Sequence, residues 1–479
     1  NSLAEKKKDK IFLSKEDPEK MPLCLEFTPR AKGAKVSVRL KKGGKNFFSS
    51  DRTVKGKYMG MILPLTKLAA GRYVLEVTCT TADGVKNQES REIWRLDRLP
   101  AKPAVEPFKS YGISKDGKLM YNGKPARRVV LSHFPRVGGF PDWKDPEVAA
   151  LIEYGKRDFR VSSVTSLAWR IKDLMWVEIR RTLSRPQLID RIVKQTLDHF
   201  DQCQKAGVTT TFGIGYLLAP EKPLRDYDLV REVILRIKHH PALRAYGFDE
   251  PELKKMTPAE TKRVYDLVRQ ADPSRPCTMN LCELDTLKDY AFSEVGSYDH
   301  YPWPYTNLLT IRQWNRSLKA AFPGKPLICI MQSFSFKGQE RPPMEYMRAE
   351  LILCMIDGID GIHFSTWDGG VPHHAVNSPE MQAYLKLFFN LEERIYLACN
   401  GENPRPLEFD SSSEYVSGAQ RGDLVLLANL SENTPAVVRF KAAPGSLQDF
   451  LDLEACVEYK NGFAEVKLPP WGVAVWKRK

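Results

Sequence analysis

Cysteine is scarce in this chain. Nine are spread over 479 residues, and no two form a Cys-x-x-Cys pair, which excludes a disulfide framework and a zinc ribbon. No run of about 18 apolar residues occurs, so no membrane-spanning helix is expected. Neither a Gly-x-Ser-x-Gly elbow nor a phosphate-binding P-loop is present. Gly213-Ile214-Gly215 lacks the third glycine and the following helix of a dinucleotide loop. His373 and His374 lack a third ligand at helical spacing, so neither a metal nor a cofactor is expected. Internal repeats and low-complexity tracts are absent beyond a lysine-rich start.

What is present fits a folded chain of about three domains. Hydrophobic residues make up 42% and charged residues 28%, and the net charge is +14. That excess favours polyanions, but the basic residues do not form a stripe interleaved with aromatics, so a nucleic-acid partner is not expected. An acidic glycan and a neutral substrate of a generally basic protein both remain open. The opening NSLAEKKKDK is polar and carries no leader. A secreted, periplasmic or cell-surface protein whose leader has been removed reads this way, and so does a cytosolic one. Cys24 and Cys79, each within an expected strand, would be able to pair in an exported chain. Cys203, Cys329 and Cys354 lie among apolar residues and read as buried thiols.

The hydrophobic period changes twice. A basic extension (1–19) precedes alternating segments at 20–98, such as AKVSVRL and RYVLEVTCTT, broken by Gly43-Gly44 and Asp83-Gly84; they predict an immunoglobulin-like β-sandwich. A Pro-rich linker (99–109) follows. Over 110–397 strands and helices alternate. Strand candidates are 127–134, 159–165, 208–215, 243–248, 276–281, 294–299, 326–333 and 358–365. The helix after Arg185 has one apolar face; another opens with Thr257, Pro258 and Glu260 as a capping box. Eight strands with intervening helices predict an α/β fold, a (β/α)8 TIM barrel. Residues 398–479 return to short strands and predict a C-terminal β-sandwich.

A barrel's chemistry sits at the C-terminal ends of its strands. The first end offers His133 and Arg136, and the fourth Asp249 and Glu250; Tyr216 is a candidate stacking aromatic and Glu283 a candidate carboxylate. The sixth offers Asp299, His300, Tyr301 and Trp303, the seventh Gln332, and the eighth Trp367 and Asp368. Two carboxyl groups can flank and cleave a glycosidic bond, and aromatics can stack on sugar rings. His239 and His240 fall at the other end of the barrel and read as structural.

FDEPE at the fourth strand end resembles the Asn-Glu-Pro signature of clan-A glycoside hydrolases. DGKLMYNGKPAR, HHPALRAYGFDEPE, YDHYPWP, ICIMQSF and AELILCMIDGIDGIHFSTWDG resemble a wider set of bacterial glycosidase-like barrels. ANLSENTPAVVRF and LPPWGVAVWKRK resemble the C-terminal domains of such enzymes. The resemblance implies a glycoside hydrolase acting on a poly- or oligosaccharide, with Glu250 as general acid. It departs from clan A at Asp249, where Asn is usual, and at Gln332, where the seventh strand usually delivers a nucleophilic Glu. The second carboxylate then falls to Asp299, with Glu283, Asp249 and Asp368 as alternatives. A short Asp leaves room for a water, so inversion is expected. Asp249, His133, Arg136, Tyr216, Glu283, His300, Tyr301, Trp303, Gln332, Trp367 and Asp368 read as substrate contacts. A carbohydrate-binding protein on a decayed glycosidase barrel is the alternative, and the absence of Glu at 332 favours it.

Overall fold

Strict alternation builds the first sheets. In Lys35–Lys42, Val36, Val38 and Leu40 are buried while their neighbours are not, as a strand with one covered face requires. Gly43 and Gly44, both at positive φ, turn it into Lys45–Thr53, a turn that only glycine or a few polar residues adopt without strain. This is a computed structural model. It describes residues 11–13, 20–27, 31–95 (except 56–57, 65–67 and 70), 111–113, 119–125 (except 122), 131–133, 161–163, 182–205, 210–218 (except 216), 225–332, 342–365, 402–450 and 457–478. A mostly antiparallel five-stranded sheet and the pair Lys20–Glu26/Tyr58–Pro64 share one core of Val36, Val38, Leu40, Met61, Leu63, Tyr73 and Leu75. Cys79, which an exported chain would be able to pair with Cys24, is a free thiol here.

The middle of the chain supplies parallel strands: β1 (Leu131–His133), β2 (Val161–Ser163), β3 (Thr210–Gly213), β4 (Leu243–Asp249), β5 (Cys277–Leu281), β6 (Val295–Asp299), β7 (Leu327–Gln332) and β8 (Gly361–Ser365). β3 to β8 form one six-stranded parallel sheet in chain order, and β1 pairs with β2. β1 also lies beside β8, and β2 beside β3. The helices are α1 (Arg185–Lys205), α2 (Tyr227–Ile237), α3 (Pro258–Ala271), α4 (Leu309–Ala321) and α5 (Met344–Asp357). The capping box of α3 forms as its sequence predicts, with Thr257 and Glu260 each bonding the other's backbone N–H.

Period two sorts the strand residues. Leu327, Cys329 and Met331 of β7 join the core shared with the helices, so Ile328, Ile330 and Gln332 face the concave side. The same count turns Asp249, Asn280 and Asp299 inward at the C-terminal strand ends. β6 is held from outside. Tyr298 stacks on Trp314 of α4 and donates to Asn315, whose amide reaches Asp357 of α5. Gly296 admits the Phe322 ring at the end of α4; a Cβ there would lie 2.8 Å from it.

α5 is apolar on nearly every side, as a helix buried on two faces must be. It packs against β7 and against Leu424–Asn429 of the C-terminal sheets. That strand is wholly buried: Leu424, Leu426 and Ala428 join the core around α5, while Val425 and Leu427 face the other way. The second core lies between two antiparallel sheets of five and four strands. Arg421 reaches back to the carbonyls of Met355 and Ile359 at the end of α5, where helix carbonyls lack partners.

Candidate active site

Asp249 is the last residue of β4, and strand alternation would send the next side chain to the opposite face. Glu250 escapes that rule because its backbone is left-handed, with φ of 46°, a conformation rare for a residue with a Cβ. Its N–H still extends the ladder to the Asn280 carbonyl at 2.9 Å. The turn therefore brings two successive carboxylates to the same end of the sheet. Strain of this kind persists only where surrounding contacts enforce it. Lys254 supplies one such contact, bonding both the Asp249 carbonyl and, at 3.0 Å, its carboxylate. Asn280 gives the other Asp249 oxygen a hydrogen bond of 3.1 Å and itself receives Ser297.

Carboxyl oxygens of Glu250 and Asp299 and the thiol of Cys282 all lie within 4.8 Å of one another. Asp299 Oδ2 accepts from the Tyr301 hydroxyl at 3.2 Å. Its Oδ1 is buried and meets no donor among the described residues, unless a proton is held between it and Glu250. Burial pushes the Asp299 carboxyl well above its ordinary range, the charges of Glu250 and Asp249 push further, and Tyr301 opposes them. Burial also raises Glu250, helped by Asp249 and opposed by its hydrogen bond with Asp299 and by Lys254. Two buried carboxyls in contact cannot both ionise cheaply, so the pair titrates as a unit around one shared proton. The Cys282 thiol is pushed far upward by burial and by Glu252, Glu250 and Asp299. In the free protein the raised proton affinities of the two carboxyls make the convergence a proton-sharing site.

The remaining expected contacts divide. Gln332 is fully buried at the end of β7, on the concave side. Tyr301 orients Asp299. His300 turns away: its ring stacks on Trp314 and bonds Thr310 of α4, since the residue after an inward Asp299 points outward. Trp303 is engaged in packing. It meets Tyr346 of α5 and Trp471 of the C-terminal sheets edge to face, packing that joins the two. Glu283 is exposed, and its backbone N–H, rather than its side chain, meets Glu252. β1 includes His133. Arg136, Tyr216, Trp367 and Asp368 lie outside the described residues, as do His373 and His374. His240 bonds Asp201, a structural role as expected. Inversion needs about 6.5–9.5 Å between the carboxyl groups, and the Glu250–Asp299 pair is closer than that. Sequence reading overlooked Glu252, Lys254, Asn280 and Cys282. For Asn280 and Cys282 a signal existed, because Thr278-x-Asn280-x-Cys282 is a polar period-two row in an otherwise apolar strand.

No family model matches this sequence, and no curated protein does. Among solved structures the chain is similar to a GH2 beta-galacturonidase from Eisenbergiella tayi bound to galacturonate, with 15% identity, 78% of this chain and 69% of that one covered, and a TM-score of 0.37. It is similar to a Bacteroides vulgatus ATCC 8482 protein assigned provisionally to the glycoside hydrolases, with 10% identity, 96% and 99% covered, and a TM-score of 0.47. A beta-D-glucuronidase from Dictyoglomus thermophilum gives 13% identity, 74% and 62% covered, and a TM-score of 0.33. Likenesses this loose leave the chemistry to the geometry of the site.

Proposed function

We propose that the chain is a glycoside hydrolase that cleaves an O-glycosidic bond of a poly- or oligosaccharide with the Glu250–Asp299 pair. The observation that carries the reading is this pair of contacting carboxyls, both with raised proton affinity, at the C-terminal strand ends of a parallel sheet. The adjacency of β1 to β8 and of β2 to β3 supports a closed (β/α)8 barrel over 110–397. The antiparallel sheets at either end support flanking β-sandwiches over 20–98 and 398–479.

Asp299 is the deeper group, its Oδ1 buried, and the resting proton lies toward it. Glu250 is the more open and meets the substrate. As a sugar enters, the pair parts and the shared proton passes to Glu250, leaving Asp299 ionised; Glu250 then gives that proton to the departing glycosidic oxygen while the bond to the anomeric carbon breaks. Close spacing favours retention: Asp299 attacks that carbon, and water, deprotonated by Glu250, then releases the sugar. Tyr301 steadies Asp299. His133, Arg136, Tyr216, Gln332, Trp367 and Asp368 are the proposed sugar contacts, and export to the cell surface or medium suits a polysaccharide substrate.

A second reading, carbohydrate binding without cleavage, is favoured by Gln332 at the strand end where clan-A barrels carry a nucleophile. A panel of aryl glycosides separates the two. Hydrolysis by the wild type, reduced at least about a hundredfold by Glu250→Gln, supports the hydrolase. Sugar binding with no hydrolysis supports the second reading.

A further inference from the structure

Two residues beyond Glu250, a fourth carboxylate, after Asp249, Glu250 and Asp299, acts on the same cluster. Glu252 Oε1 accepts the backbone N–H groups of Cys282 at 2.6 Å and Glu283 at 3.3 Å. Its Oε2 is buried and meets no hydrogen-bond donor among the described residues. The side chain thus ties the loop after β4 to the end of β5. The tie joins the segment of the left-handed Glu250 to that of Cys282, whose thiol lies within 4.8 Å of both members of the acid pair. We propose that Glu252 is the positioning residue of the Glu250–Asp299 pair, clamping the Glu250 turn onto β5 and setting a further negative charge against its carboxyl.

Two effects follow from one side chain. The clamp fixes where Glu250 stands, which matters because a displacement of about 1 Å in a catalytic group can cost about a hundredfold in rate. The charge makes Glu250 harder to ionise and so keeps its proton available to higher pH. Glu250 is faced by Asp249, Glu252 and Lys254 from the β4 end, by Cys282 from β5, and by Asp299, steadied by Tyr301, from β6. Lys254, although engaged by Asp249, opposes with the larger effect, and Glu252 works against it alongside burial and Asp249.

The test reads the Glu250 carboxyl directly, by 13C NMR of the full chain carrying 13Cδ-labelled glutamate. Only its kinetic arm rests on the hydrolase reading, through kcat and KM against pH on an aryl glycoside. Glu252→Gln keeps an oxygen for the two amides and removes the charge. The Glu250 titration then moves to lower pH, and the alkaline limb of kcat/KM moves with it. Glu252→Asp keeps the charge but draws it back from the amides. The Glu250 titration stays above that of Glu252→Gln, while kcat falls about tenfold with KM little changed. A Glu250 titration unmoved by Glu252→Gln overturns the proposal, and so does a Glu252→Asp enzyme with wild-type kcat. If Glu252→Gln fails to fold, Glu252→Asp still decides: a titration that drops although the charge is retained overturns the proposal. A shifted titration in a protein that cleaves no glycoside overturns the hydrolase reading and leaves the role of Glu252 standing.

Discussion

Glu350 is a carboxyl in the wrong place for stability. It lies on α5 with no exposed surface, and neither oxygen has a hydrogen-bond partner among the described residues. The groups that sense its charge, Tyr298, Tyr346 and Cys354, are themselves pushed up by burial and stay neutral, so none of them compensates it. Burial alone raises Glu350 well above the ordinary carboxyl range. Replacing it with Met keeps most of the volume and removes the unmet polar atoms, which should stabilise the fold by about 1–3 kcal/mol in mild acid. The gain should grow with pH. The native state keeps a proton that the unfolded chain loses near its ordinary pKa of about 4.3. Native stability therefore falls as pH rises from there towards the folded pKa, at up to about 1.4 kcal/mol per unit. Glu350→Met removes this share of the slope and leaves that of the other raised carboxyls, such as Asp299 and Asp360. Urea denaturation of both proteins from pH 4 to 8, following the transition that exposes the parallel-sheet core, measures the difference. A stability difference that stays flat across this range, or a Met variant less stable than the wild type, would refute the reasoning.

Further outcomes are expected. Trp471→Ala breaks the Trp303–Tyr346–Trp471 cluster and should destabilise the fold by about 3–5 kcal/mol, while Trp303→Phe should leave KM for a small glycoside within about twofold, as differential scanning calorimetry and kinetics will show. Lys254→Met leaves Asp249 unneutralised beside Glu250 and should move the alkaline limb of activity to higher pH, because removing a positive charge favours the protonated acid. NMR of the first-formed sugar should show the configuration of the substrate, and azide should rescue a Glu250→Gln enzyme by forming a retained glycosyl azide. If the substrate is acidic, KM rises with salt as the Debye length falls from about 10 Å at 0.1 M to about 3 Å at 1 M, while KM for a neutral aryl glycoside does not.

The strands of the six-stranded sheet were legible mostly from short apolar runs bounded by turn residues, as in Leu327–Gln332, while Val161–Ser163 carries no such run. The α3 start was legible because Thr257, Pro258 and Glu260 form a local signal that tertiary packing does not override. The outward turn of His300 was also open to reading, since it follows Asp299 by one residue on a strand. Three things could not be read. The left-handed turn at Glu250 is enforced by Lys254 and by Glu252, which reaches β5 about thirty residues later. Trp303 stands at a strand end as a sugar-stacking residue would, and only the arrival of Trp471 from the C-terminal sheets shows that it is packing. The spacing of Glu250 and Asp299 depends on how β4, β5 and β6 curve together, which strand periodicity does not specify.

The claim that Glu250 and Asp299 act as one unit around a shared proton is tested most directly by a double-mutant cycle in kcat/KM. Each of Glu250→Gln and Asp299→Asn should lower the rate at least about a hundredfold on a glycoside with a poor leaving group. The double variant should be no slower than the worse single, because groups that work as a unit are lost together. Losses that multiply in the double variant, or an Asp299→Asn enzyme that keeps wild-type turnover, would contradict it.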